Sequence, residues 1–168
     1  MAEIDSSVRT NFLGPLYTMH ALLPTLLSRP NGATIVTVSS VLGTLNARNL
    51  PLYSASKAAL NSLHNSISYD LSARRNLKTI LVAPGQLSTP LFAHVQTNGF
   101  FAPVVEASEI AKEIMKKLDA GTGGTVALPL YASVVRRGLW AVMPAWARSI
   151  ARRFSGIDEA YSTSSKAE

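Results

Sequence analysis

Apolar positions along this chain recur with two periods. From Val8 to about Leu27 they return at helical spacing, and Pro24 is expected to bend that helix. Asn31-Gly32 then opens a short β-branched run, Thr34–Val38, closed by Ser39 and Ser40, which predicts a buried strand. Val41–Pro51, holding Gly43 and Pro51, reads as a loop. Ser54 to about Arg74 predicts an amphipathic helix whose apolar face is Ala55, Ala58, Ala59, Leu60, Leu63, Ile67 and Leu71. Lys78–Val82 is a second buried strand. Glu106–Ala120 is a helix with Ile110, Ile114, Met115 and Leu118 facing inward, and Thr125–Leu128 is a last short strand. Helices alternating with short apolar strands predict an α/β fold with a parallel sheet.

Composition narrows the chemistry. The chain has 168 residues, enough for one domain (1–168), and it has no cysteine. Disulfides, thiol catalysis and cysteine metal sites are therefore excluded. His20, His64 and His94 stand far apart and are expected to be ordinary helix or loop residues, not metal ligands. No apolar run reaches the ~18 residues that span a bilayer. The polar start, Met1-Ala2-Glu3-Ile4-Asp5, does not have the form of a secretory signal, so a cytoplasmic location is expected.

The candidate chemistry lies in Tyr53-Ser54-Ala55-Ser56-Lys57. Residues four apart on a helix share a face. A free phenol titrates near ~10 and is a poor acid or base at neutral pH. A cation held close favours the phenolate, so Lys57 is expected to lower the Tyr53 pKa. Thirteen residues before Tyr53, at the end of the first predicted strand, stands Ser40. A strand end and a helix start joined by a loop can bring that hydroxyl to the phenol.

With these residues in place, the segment Thr34–Asn61 resembles the catalytic core of the short-chain dehydrogenase/reductase family. Asn11, in Asn11-Phe12-Leu13-Gly14, falls where that family carries a fourth catalytic residue. Pro84-Gly85-Gln86-Leu87-Ser88-Thr89 is similar to its Pro-Gly-x-x-x-Thr motif. The resemblance runs from about Val8 to Leu128. It implies an oxidoreductase that moves a hydride between NAD or NADP and a carbonyl or secondary alcohol. Catalytic roles fall on Asn11, Ser40, Tyr53 and Lys57. Tyr53, Lys57, Pro84, Gly85 and Thr89 would contact the cofactor, and Ser40, Leu87, Leu91 and Phe92 the substrate. The helices carrying Asn11 and Tyr53 are the family's usual homodimer surface.

One family element has no counterpart. A dinucleotide fold needs a glycine-rich turn between a strand and a helix. None of the ten residues before Asn11 is glycine, and Gly121-Thr122-Gly123-Gly124 follows a helix and precedes a strand. The expectation is a partial Rossmann-like, doubly wound parallel sheet lacking its N-terminal nucleotide-binding strands, and the chain alone is expected to be inactive. Three readings stay open: a dehydrogenase with its first half elsewhere, a non-catalytic remnant or interaction module, and an extended-branch epimerase or dehydratase.

Two further segments bear on the partner. Gln86–Val105 holds Leu87, Leu91, Phe92, Val95, Phe100, Phe101 and Val104, which suits either an apolar alcohol or ketone substrate or a small satellite core. Residues 129–160 form a basic, amphipathic tail. Between Pro129 and Phe154 there are five arginines and no acid, with Trp140, Trp146 and Phe154 among them. Tryptophan beside arginine suits a membrane surface, here through residues 134–154. A helix packed on the domain is the alternative, and no nucleic-acid motif appears. The tail loosely resembles those of membrane-associated retinol and steroid dehydrogenases.

Overall fold

The computed structural model describes residues 2–48, 50–74, 76–89 and 102–156. Helix α1 (Ala2–Val8), a π-helical turn (Arg9–Leu13) and α2 (Gly14–Leu27) follow one another without a break. The helix runs through Pro24, which has no N–H to donate to the carbonyl four residues back. A departure from α geometry lies at Arg9–Leu13, around Asn11. There the Gly14 N–H reaches back five residues to the Arg9 carbonyl.

Among the described residues, three parallel strands form the sheet in the order β1 (Ala33–Val38), β2 (Leu77–Val82), β3 (Gly124–Val126). Val36 pairs with Ile80, Val38 with Val82, and Val82 with Val126. Helix α4 (Pro51–Leu71) links β1 to β2, and α5 (Ala107–Asp119) links β2 to β3. Side chains alternate across a strand. Thr37 and Thr79 meet His64 and Ser68 of α4, with oxygen or nitrogen partners 2.8 Å apart in each pair. Ile80, Val82 and Val126 pack with Ile110, Ile114 and Leu118 of α5. The two helices therefore cover opposite faces, as a doubly wound sheet requires.

Several expectations are corrected. The presumed loop contains a short helix, α3 (Leu42–Leu45), with too few positions for a period to register. Met115 is exposed, because α5 buries only the stripe through Ile110. Ala55 is exposed too. The buried residues of α4 are Ser54, Ser56, Leu60, Asn61, His64 and Leu71, a largely polar set. The reason is tertiary: α4 packs on the Ala47 backbone, on Gly43 of α3 and on Thr37 of β1. Ser54 Oγ accepts from the Ala47 N–H at 3.2 Å, and Ser56 Oγ donates to the Tyr53 carbonyl at 2.8 Å.

After β3 the chain forms α6 (Leu130–Val134), a second π-helical turn (Val135–Leu139), α7 (Trp140–Val142) and α8 (Ala145–Ser155). Ala132 and Val135 join Val41, Leu42, Leu45, Ala47 and Ala127 in a second core beyond the strand ends. Tyr53, Tyr131 and Trp140 pack against it.

Candidate active site

The C-terminal ends of β1 and β2 set the site. The Ser39 N–H donates to the Val82 carbonyl at 2.7 Å, and the Val41 N–H donates to the Pro84 carbonyl at 2.9 Å. Ser40 is thus held between two sheet-like bonds. Its Oγ accepts from the Leu42 N–H at 3.1 Å as α3 begins. Ser39 turns its own hydroxyl to the Lys57 carbonyl at 3.3 Å, tying the strand end to α4.

Across this joint the Ser40 hydroxyl and the Tyr53 phenol line the same cavity, and Ser40 stands close enough to act on the phenol's titration. The Lys57 ammonium lies 5.7 Å from the centre of the Tyr53 ring and donates to the Val38 carbonyl at 3.4 Å. The helical spacing and the strand end do bring serine, tyrosine and lysine to one place.

The electrostatics differ from the expectation. Burial raises the Tyr53 pKa above its ordinary value, and the Ser40 side chain works against that rise. Lys57 is not among the causes. Its own pKa is lowered by burial, and its ammonium is turned onto the Val38 carbonyl. Among the protein's own groups, Ser40 is what steadies the Tyr53 phenolate.

The other sequence-derived residues divide. Pro84, Gly85, Leu87 and Thr89 line the same cavity as Ser40, Tyr53 and Lys57. Leu87 forms an isolated parallel bridge with Val105, which fixes where this segment leaves the site. Asn11 lies outside the cavity wall and donates to Ser56 Oγ at 3.1 Å, one residue before Lys57. Leu91 and Phe92 lie outside the described residues.

The cavity measures about 730 Å³. Val41, Leu42 and Leu45 line it together with Trp146, Ile150 and Phe154 of α8. Sequence reasoning missed Tyr131 on its floor. Burial and a Gln86 backbone hydrogen bond act on this phenol, and its pKa is pushed up to about 12. A Cβ on Gly85 would come within 2.3 Å of the Tyr131 hydroxyl, so this close approach needs glycine. The available signal was one aromatic residue just after the last strand, a position no spacing rule marks.

Comparison with known proteins agrees with this geometry. The family model described as short chain dehydrogenase matches residues 1–99. The uncharacterized oxidoreductase TDA5 of Saccharomyces cerevisiae is 35% identical over 159 residues, covering 93% of this chain and 48% of that protein. A second uncharacterized oxidoreductase of the same yeast is 29% identical over 98% of this chain and 55% of its own length. The chain thus spans about half the length of these curated relatives. A short chain dehydrogenase from Burkholderia cenocepacia, solved in complex with NADP, superposes with a TM-score of 0.70 at 25% identity. That match covers 89% of this chain and 59% of the other. A Streptomyces avermitilis short-chain dehydrogenase, at 24% identity and a TM-score of 0.67, shares the fold over 92% of this chain and 61% of its own. Among the described residues, no helix is long and apolar enough to cross a membrane.

Proposed function

The chain belongs to the short-chain dehydrogenase family, and on that premise we propose that it carries the proton-transfer half of an NAD(P)-dependent oxidoreductase site. The substrate class is an apolar carbonyl compound or secondary alcohol. The observation that carries this reading is the meeting of Ser40, Tyr53 and Lys57 in one largely apolar cavity, with the Lys57 ammonium 5.7 Å from the Tyr53 ring centre.

The residues fit the nicotinamide end of a dinucleotide. Lys57 supplies an ammonium and Thr89 a hydroxyl, and Pro84–Gly85 lines the same cavity. When bound, the cofactor supplies or accepts the hydride. Tyr53 gives the proton to the substrate oxygen, or takes it in the reverse direction. Ser40 holds the same oxygen and orients it. Asn11, linked through Ser56 to the turn bearing Lys57, is proposed to hold a water that connects the ammonium to solvent.

The described residues hold no glycine turn running from a strand into a helix; Gly121, Gly123 and Gly124 follow α5 and lead into β3. The phosphates of the cofactor are therefore proposed to be held by further sequence in a longer protein, which the half-length match to TDA5 supports. We also place the chain nearest the members acting on retinoids, steroids and other lipid alcohols, because the cavity walls are apolar. A homodimer through the helices carrying Asn11 and Tyr53 is part of the proposal; Tyr17 and Leu22 of α2, which continues the Asn11 turn, and Tyr69 of α4 are exposed.

The test is hydride transfer from NADH or NADPH to apolar ketones. It is measured on this chain and on a chain extended by the genomic sequence upstream of its first codon. The extended protein is expected to turn over and this chain alone to bind neither nucleotide usefully. Tyr53→Phe should then cost at least ~100-fold in kcat, the share of a general acid. Full activity in Tyr53→Phe would remove the assigned acid.

A further inference from the structure

The apolar stripe of α8 is used from both sides. Trp146, Ile150 and Phe154 follow one another at four-residue spacing, and all three line the cavity. Yet Trp146 is 69% exposed, Ile150 49% and Phe154 57%. A side chain meets both conditions only at the rim of an opening. Leu139 and Val142, just before α8, are exposed as well. The orientation of α8 is fixed by Arg152, whose Nη1 donates to the Leu45 carbonyl of α3 at 2.7 Å. Arg153 lies seven residues after Trp146, so it borders the stripe, and it is exposed.

The charge of this face selects its partner. Residues 129–156 contain five arginines and no carboxylate; Arg136 and Arg152 are tied to Asn65 and to the Leu45 carbonyl, and Arg153 stands exposed beside the stripe. Two copies meeting through the face would press like charges together. A nucleic acid would neutralise the arginines but leave Trp146, Ile150 and Phe154 in water. An anionic lipid surface answers both features: headgroups for arginine, acyl chains for the stripe.

We propose that the α8 face docks on an anionic membrane surface, with α8 in the interfacial plane and the cavity mouth opening toward the acyl chains. An apolar substrate then enters from the lipid without crossing water. The docking stands on α8 alone; the delivery of substrate rests on the proposed function above.

The experiment is co-sedimentation of the chain with phosphatidylcholine vesicles, with and without phosphatidylserine, together with the tryptophan emission shift. Binding to the anionic vesicles is expected to be about tenfold or more tighter than to neutral ones and to weaken with salt. Ile150→Asp should abolish it. Arg153→Glu, an exposed substitution that leaves packing intact, should weaken it about tenfold or more. Absence of binding at low salt overturns the proposal, as does binding that neither variant changes. A dimer that Ile150→Asp dissociates, without vesicle binding, assigns the face to a second copy and overturns it too. Vesicle binding should persist in Tyr53→Phe, so the two readings fail separately.

Discussion

The His64 imidazole and the Thr37 hydroxyl meet 2.8 Å apart in the buried interface between α4 and β1. Arg136, from the π-helical turn before α7, stands near enough to disfavour a charged imidazole, and burial disfavours it more. Asn65, one residue along α4, accepts from Arg136 Nη2 at 3.0 Å. The folded-state pKa of His64 is therefore below its unfolded value of about 6.5. The unfolded chain then binds more protons as pH falls, so stability is full above that value and is lost below it. Urea midpoints should drop through the mildly acidic range in the wild type. In His64→Gln that acid limb should flatten, and an unchanged limb would remove His64 as its cause.

Gly43 is a second contact with consequences for the site. A Cβ there would lie 2.6 Å from Asn61 Nδ2 and 2.8 Å from the carbonyl of Lys57. Only glycine lets α3 approach α4 closely enough to seat Ser40 against Tyr53. Gly43→Ala should destabilise the fold by about 1–3 kcal/mol through overpacking. Denaturant unfolding measures that, and a neutral result would mean that α3 shifts freely.

These two contacts show what the sequence could carry. Tyr53, Lys57 and Ser40 were legible because helical spacing and a strand end are local rules, and the fold class followed from the alternation of periods. His64 and Asn61 were not. They are polar residues on a helix face that composition marks as solvated, and only the packing of α4 on β1 and α3 buries them. Tyr131 was hidden for a related reason: its place under Gly85 depends on the chain returning after β3. The direction of the Tyr53 shift was also out of reach, since it depends on how deeply the phenol is buried and on where Lys57 finds its acceptor.

The edge of β1 predicts self-association. Val36 and Val38 lie on the α5 side of the sheet beside Ile80 and Val82. The β2 pair is fully covered, whereas Val38 is 58% exposed. No described strand pairs with the outer edge of β1. An apolar edge with unpaired backbone groups is a template for another strand. Light scattering of this chain should report species larger than a monomer, and Val36→Lys should shift it toward monomer at the same concentration. A monodisperse wild-type monomer would count against the exposed edge.

Alkaline titration separates the two phenols of the cavity. Burial places both Tyr53 and Tyr131 above the ordinary phenol value, with Tyr131 at about 12. The difference in phenolate absorbance between wild type and Tyr53→Phe isolates Tyr53 and should titrate above ~10. Ser40→Ala removes the one interaction that lowers it and should push it higher. A raised folded-state value means that this contribution to stability is whole below the unfolded pKa and disappears as pH climbs through the folded one. Wild-type protein should therefore lose stability in strong alkali more steeply than Tyr53→Phe. If Ser40→Ala leaves the Tyr53 titration where it was, the two hydroxyls are not coupled, and the proton-handling role given to the pair fails with them.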